Sequence, residues 1–240
     1  MTARRLLVYP PGHPALLGVY VVLAVVLAFL ASTIVFEAAS LAGEENALLY
    51  SNLVAALILL SPAMSFLNIV LGEVEHGEDR LTVEIEFVVA YGLPIPVPRL
   101  KVSRRRTIIA VNVGGALIPV VISIILFYLL YERIGPEAVT PVLAAVIVTS
   151  IVTFIAARPI PGIGIVVPAL LPPLVSSTVA VLYMGGGVYA GITAYIGGAL
   201  GSLIGADLLR FLRDLEKLQA PIVSIGGAGV FDGTYLSALL

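Results

Sequence analysis

Two aspartates lie in segments of the chain that are otherwise apolar and rich in glycine. Asp207 ends the run IGGALGSLIGAD, and Asp232 ends SIGGAGVFD. A charged carboxylate inside a bilayer is costly unless it faces a partner, a cavity or a proton, so an ionisable residue at that depth indicates a function. If the two carboxyl groups met they would share one proton, because like charges so close cannot both ionise. The ionised carboxylate would then activate water while the neutral one polarised a carbonyl, as in an aspartyl protease.

Composition indicates the environment of these carboxylates. The chain is 60% hydrophobic and 12% charged, with a mean hydropathy of +1.10, whereas soluble domains are about 25% charged. We therefore expect an all-α integral membrane protein. Cysteine is absent and only two histidines occur, so we expect no thiolate or zinc chemistry and no cofactor. Arginine-rich, methionine-poor composition is compatible with a thermophile.

Charge and hydropathy together predict the topology. A membrane helix needs about 20 apolar residues, and seven stretches qualify: 15–36, 50–71, 107–131, 138–157, 168–184, 187–209 and 222–240. Four groups of arginine and lysine fall on one side of this seven-span arrangement, whereas Arg133 and five glutamates fall on the other. This predicts a cytoplasmic amino terminus and an external carboxyl terminus in the cell membrane. Membrane lipid is the expected partner, and no nucleic-acid-binding pattern occurs.

A small cytoplasmic β-hairpin is predicted over residues 73–106 of the single 1–240 domain. Residues 81–87 alternate apolar and polar, which is typical of a strand. A turn at 91–94 would let Val97–Val102 pair back and set Arg99 and Lys101 near Glu84 and Glu86. The hairpin is either a solvated ribbon or an edge strand that receives an extended peptide.

Asp207 has two interpretations. Gly197, Gly201 and Gly205 form a small-residue ridge that lets another helix approach closely. At 100° per residue Asp207 lies on roughly the opposite face. It is either a functional carboxylate there or an interfacial partner of Arg210 at i+3.

Asp232 and the proline-rich segment 157–177 lie in parts of the chain whose glycines and prolines disfavour a regular helix. A continuous helix from Pro221 would carry Asp232 about 16 Å into the span, where it would act chemically or bond to a neighbour. Five prolines and two glycines in 157–177 exclude a continuous helix, so Pro161–Gly164 is expected to be extended or re-entrant. An irregular Gly226–Gly229 is the alternative to a short last span. Asn52, Asn68 and Asn112 are further polar residues in or beside spans, and most such groups bond across helices.

Two stretches carry a family resemblance. GADLLRFLRDLEKLQAPIVSIGGAGVFDG over 205–233, with PIPGIGIVVPALLPP over 159–173, resembles the prokaryotic membrane family called domain of unknown function 1614. The resemblance implies an archaeal or bacterial multi-pass membrane protein and brings no activity with it.

A second resemblance is to the presenilin and signal-peptide-peptidase class of intramembrane aspartyl proteases. That class has one aspartate in span six and another in span seven after a Gly-x-Gly motif, and it uses a Pro-Ala-Leu motif. The resemblance implies catalytic Asp207 and Asp232, with Gly227, Gly229 and Pro168-Ala169-Leu170 binding substrate. Here Val230 and Phe231 separate Gly229 from Asp232, Ala206 stands where the class has tyrosine, and Pro-Ala-Leu lies in the fifth span instead of the last.

Three functions therefore remain open. The first is an intramembrane aspartyl protease cleaving transmembrane or membrane-proximal peptides. The second is a transporter or channel for a small solute or an ion, or one coupled to protons, that uses Asp232 at broken helices. Seven spans are few for a carrier, so this function would require a homo-oligomer. The third is a non-catalytic membrane scaffold.

Overall fold

The computed structural model of the chain joins a bundle of apolar helices to a small β-sheet. The structure describes residues 6–8, 14–43, 45–90, 93–160, 164–218 and 222–227. The helices are α1 (Pro14–Ala42), α2 (Ala47–Met64), α3 (Ile118–Ile134), α4 (Val139–Ala156), α5 (Leu171–Met184), α6 (Val188–Ser202) and α7 (Arg210–Leu218). The strands are β1 (Leu6–Val8), β2 (Leu67–Ala90), β3 (Leu93–Asn112), β4 (Arg158–Ile160), β5 (Gly164–Val166) and β6 (Ile222–Ile225). Two π-helical segments precede α3 and α7, the first at Val113–Leu117 and the second at Leu203–Leu209, and a 3₁₀ turn at Gly135–Ala138 joins α3 to α4.

Several of these helices suit a membrane. Four described helical stretches are long and apolar enough to cross one: Val21–Leu41, Ala47–Met64, Val113–Ala156 and Val188–Asp214. The third has 44 residues, and Gly135, with a φ of 64°, separates α3 from α4 within it. The helix α5 is also apolar but has only 14 residues. The chain is therefore a mostly helical protein of membrane type with a small β-sheet.

Three predicted spans are wrong at one end, because the chain there is a strand. The helix α2 stops at Met64 instead of 71, and the stretch from 107 to Asn112 belongs to β3. The predicted last span begins with β6, and its remainder from 228 lies outside the described residues. Hydropathy cannot distinguish an apolar strand from an apolar helix.

The main sheet has the order β1-β2-β3-β6. The strands β2 and β3 form an antiparallel hairpin that is longer than the predicted 73–106, and their register sets Glu84 opposite Arg99 and Thr82 opposite Lys101. The pairing of Glu84 with Arg99 agrees with the prediction for Val97–Val102, but Glu86 lies opposite Val97, and residues 91 and 92 of the predicted turn lie outside the described residues. The strand β6 is parallel to β3 and pairs with Ile108–Val111.

The glycine ridge of α6 packs against α4. A Cβ at Gly197 would lie 2.5 Å from the Cβ of Ala145, and one at Gly201 would lie 2.6 Å from the Cβ of Thr149. A Cβ at Gly205, in the second π-segment, would overlap the backbone oxygen of Ser150. The prediction that the ridge admits a closely packed helix is confirmed.

Candidate functional site

Asp207 lies in the second π-segment, between α6 and α7, and only 8% of its surface is exposed. Its Oδ2 accepts a hydrogen bond from the backbone N–H of Gly226 at 2.6 Å. A π-helical turn inserts one extra residue into a helix, and such turns are frequent at functional sites. The contact joins Asp207 to the segment that leads toward Asp232.

Gly226 approaches the first π-segment closely. Its φ is 72°, in the left-handed region that glycine adopts without strain. A Cβ on Gly226 would lie 2.7 Å from the oxygen of Gly115 and from the Cβ of Ala116, and a Cβ on Gly115 would overlap the oxygen of Gly226. Two glycines thus allow the approach that aims the Gly226 N–H at Asp207.

A buried network of side-chain amides supports this arrangement. The Nδ2 of Asn112 donates to the backbone oxygen of Ser65 at 2.6 Å and to the Oδ1 of Asn68 at 3.0 Å. The hydroxyl of Ser224, in β6, donates to the same Asn68 oxygen at 2.6 Å. The Oδ1 of Asn112 accepts from the N–H of Gly115 at 2.7 Å. The network therefore joins the start of β2, the end of β3 and β6 beside Gly226.

An apolar cluster brings together the segments that contain the predicted motifs. Its buried members are Ala157, Ile165, Ala206, Phe211 and Val223. They come from the end of α4, from β5, from the second π-segment, from α7 and from β6. The neighbourhoods of Pro168-Ala169-Leu170, Asp207 and Gly227 therefore share one packed cluster.

The predicted substrate-binding residues form turns where the structure describes them. The N–H of Leu171 donates to the oxygen of Pro168 at 3.0 Å, so Pro168, Ala169 and Leu170 make the turn before α5. The N–H of Gly227 donates to the oxygen of Ser224 at 3.1 Å and closes the turn after β6. The prediction of a break in 157–177 is confirmed by β4 and β5, although 161–163 lie outside the described residues.

Asp232 and Gly229 also lie outside the described residues. The pairing of Asp207 with Asp232 therefore stays a prediction. At 222–227, the chain is a strand and a turn, so the alternative of a continuous helix from this point is wrong.

A second buried carboxylate, Asp214, was missed by the sequence interpretation. It is 1% exposed, and its Oδ2 lies 2.6 Å from the Nε of Arg210. Arg210 also donates through Nη1 to the backbone oxygen of Phe154 at 3.3 Å. Arg210 and Arg213 lie over the Phe154 ring, at 5.7 and 5.5 Å from its centroid. The available signal was the i, i+4 spacing of Arg210 and Asp214, which is also typical of a solvated helix face.

Comparison with protein families agrees with the resemblance carried by the Asp207 and Asp232 segments. The family described as "Protein of unknown function (DUF1614)" matches residues 63–240. The chain belongs to this family. The DUF1614 match begins at the end of α2 and includes the hairpin, both π-segments and both aspartates, whereas α1 and most of α2 precede it. No curated protein and no solved structure matches the chain.

Proposed function

We propose that the chain is an intramembrane aspartyl protease in which Asp207 and Asp232 cleave transmembrane or membrane-proximal peptide segments. The hydrogen bond from the Gly226 N–H to Asp207 supports this proposal most directly. It brings the backbone six residues before Asp232 to the carboxylate of Asp207. Six residues advance about 9 Å as a helix and about 20 Å as a strand, so Asp232 meets Asp207 if the chain turns back after Gly227.

The proposed dyad assigns a role to each described group. The two carboxyl groups share a proton, the ionised one activates water, and the neutral one donates to the scissile carbonyl. The Gly226 N–H fixes one oxygen of Asp207, which orients the carboxylate. Gly227 and Pro168-Ala169-Leu170, which lie in turns close in sequence to members of the apolar cluster, bind the substrate backbone. In the seven-span topology, with its cytoplasmic amino terminus, this site lies toward the cytoplasmic side.

A second candidate function is proton or ion transport. Three buried hydroxyls, those of Thr149, Ser150 and Thr193, have no hydrogen-bond partner within the described part of the chain. Unsatisfied polar atoms inside a helix bundle are costly, and water or an ion passing between the helices would supply their missing partners. Asp232 would then serve as the proton or cation site, with Asp207, in the segment after α6, as a gate residue.

Cleavage of membrane peptides tests the protease directly. The purified chain is reconstituted in liposomes with a set of transmembrane peptides, and products are identified by mass spectrometry. We expect Asp207→Asn and Asp232→Asn each to reduce cleavage about 10³-fold, while Glu45→Gln, at an exposed carboxylate, leaves it unchanged. Equal cleavage by the wild type and both asparagine variants would overturn the proposal that the chain is an aspartyl protease. Proton flux that depends on Asp232, without peptide cleavage, would establish transport instead.

Cross-linking tests the geometry without an activity assay. The natural chain has no cysteine, so Asp207→Cys with Asp232→Cys introduces one defined pair. A disulfide needs Cα atoms within about 7 Å. We expect a disulfide or a short cross-link in the membrane. Failure of both a short and a longer cross-linker, with each single cysteine labelled, would exclude a dyad.

A further inference from the structure

Two buried asparagines face each other at the base of the β2–β3 hairpin. Asn68 in β2 is the register partner of Asn112 in β3, and the two residues are 5% and 3% exposed. A buried amide is costly unless its donors and acceptors are paired. Each amide of this pair therefore serves particular partners, and those partners lead to Gly226.

The partners fix which way each amide points. The Oδ1 of Asn112 accepts from the N–H of Gly115 at 2.7 Å. Its Nδ2 is therefore turned toward the backbone oxygen of Ser65 and the Oδ1 of Asn68. The Asn68 oxygen also accepts from the Ser224 hydroxyl at 2.6 Å. Exchanging the oxygen and nitrogen of either amide would bring donor against donor, so Asn112 must both donate and accept, whereas Asn68 accepts two hydrogen bonds.

These hydrogen bonds hold Gly226 from two sides. On one side, the pairing of β6 with β3 ends one residue before Gly226, and the Asn68 oxygen holds the Ser224 hydroxyl. On the other side, Asn112 holds the N–H of Gly115, and a Cβ on Gly115 would overlap the oxygen of Gly226. The backbone at this glycine is thus fixed at two points, and both depend on the asparagine pair.

We propose that Asn112 and Asn68 are positioning residues for Asp207, which place the Gly226 N–H where it donates to the carboxylate at 2.6 Å. The inference rests on the proposed function, because the carboxylate that the pair positions is the proposed catalytic one. A displacement of about 1 Å caused by a distant change can lower the rate of an enzyme about 100-fold. The asparagines act on the rate through the backbone of Gly226 and are not themselves catalytic.

The two asparagines differ in what aspartate can replace. Asn68→Asp has the same shape and keeps an acceptor for the Asn112 amide and the Ser224 hydroxyl, while it gives up a 3.4 Å bond to the backbone of Phe66. Asn112→Asp loses the donor to Ser65 and sets an oxygen against the Asn68 oxygen. The first variant is therefore expected to keep the network, and the second to break it.

Peptide cleavage separates positioning from loss of structure. With the full chain in liposomes and a transmembrane peptide that the wild type cleaves, we expect Asn112→Asp and Asn68→Leu to lower kcat about 30-fold, because the Asp207 carboxylate is misplaced. KM is expected to stay within about twofold, because neither asparagine belongs to the proposed substrate-binding residues. The conservative variant Asn68→Asp and the matched control Asn52→Asp, at an exposed asparagine, should keep kcat within about threefold. Equal loss of kcat in the two aspartate variants of the pair, or a loss confined to KM, would overturn the proposal.

The Gly226 amide proton reports the same contact without a cleavage assay. Labelling with 15N-glycine and 13C-carbonyl isoleucine selects Gly226 and the four other glycines that follow isoleucine. Hydrogen bonds to a carboxylate are strong, and a strong bond shifts the amide proton downfield. One of these signals is therefore expected downfield in the wild type and absent from that position in Asp207→Ala. Asn112→Asp and Asn68→Leu should move it upfield by about 0.5 ppm or more, whereas Asn52→Asp should not.

The two readouts let the positioning pair and the protease fail separately. If the wild type cleaves nothing while the Gly226 signal responds to both Asp207→Ala and Asn112→Asp, the protease is overturned and the asparagine pair still positions Asp207. If cleavage depends on Asp207 but Asn112→Asp changes neither kcat nor the Gly226 signal, the protease stands and the positioning role is overturned.

Discussion

Asp207 and Asp214 are both buried, yet their partners differ in kind. Asp214 pairs with Arg210, one turn earlier on the same helix. Asp207 accepts its hydrogen bond from a backbone N–H 19 residues later in the chain. A local ion pair stabilises a helix end, whereas a contact across elements fixes the relative position of two segments. The Asp207 bond thus joins two segments of the candidate site.

Replacement of Asp214 by alanine is expected to destabilise the protein by roughly 1–3 kcal/mol, because it removes a charge-assisted contact from Arg210, which keeps the backbone oxygen of Phe154. Thermal unfolding in detergent measures the change. The double variant Arg210→Met, Asp214→Leu is expected to recover much of the loss, since an apolar pair can replace a buried ion pair. An unchanged Tm for Asp214→Ala would contradict the pairing.

Replacement of Gly226 by alanine is expected to cost at least about 2 kcal/mol. The positive φ of Gly226 strains a residue with a Cβ, and that Cβ would collide with Gly115 and Ala116. The matched control is Gly72→Ala, since a Cβ at Gly72 meets nothing within 4 Å. Equal Tm values for the two variants would show that Gly226 is not held against the first π-segment.

At the scale of elements, α6 is expected to tolerate alanine on one side only. Gly205→Ala in the following π-segment should destabilise the α4–α6 contact by about 2 kcal/mol, the usual cost of overpacking. Gly191→Ala, where a Cβ meets nothing within 4 Å, should stabilise the helix by up to about 1 kcal/mol. Opposite shifts of Tm in detergent are the expected result, and a parallel shift would argue against the ridge.

Local patterns predicted those elements whose partners are near in sequence. The alternation of 81–87 was enough to predict a strand of the hairpin, and the spacing of Gly197, Gly201 and Gly205 was enough for the ridge. The ends of spans two and three were not predictable, because Asn68 and Asn112 pair across 44 residues. The apolar residues beside Asn68 and Asn112 have the hydropathy of a membrane helix, although they lie in strands.

The candidate site was predictable only in part for the same reason. An aspartate in an apolar run identified Asp207. Its partner is a backbone N–H, for which the amino-acid sequence gives no signal. The strand β6 pairs with β3 across more than 100 residues, which no local pattern predicts. Asp214 lies in the charged run RFLRDLEK, where composition predicts exposure, and only the fold shows it to be buried.

For the whole molecule, the predicted membrane topology determines on which side of the membrane the proposed site lies. Exposed Glu45 and Glu137 belong to the predicted external side, and exposed Arg158 to the cytoplasmic side. In intact cells we expect a membrane-impermeant maleimide to label Glu45→Cys and Glu137→Cys, because basic residues concentrate in cytoplasmic loops. Arg158→Cys should be labelled only after permeabilisation.

The labelling pattern also has a clear contrary outcome. Labelling of Arg158→Cys in intact cells, with Glu137→Cys protected, would invert the topology and place the Asp207 site toward the outside. The cysteine-free parent chain provides the background control.

The parallel pairing of β6 with β3 sets the order in which the protein can be completed during synthesis. A ribosome that adds about 5–20 residues per second reaches Ile222 roughly 5–20 s after it has made the end of β3. Throughout that interval the edge at Ile108–Val111 has no β6, and Asp207, once it is made, has no Gly226 N–H. A chain that stopped before residue 222 would leave Ile108–Val111 as an unpaired edge, which is a site for aggregation. The four residues Ile222–Ile225 thus complete the pairing of a strand made more than 100 residues earlier.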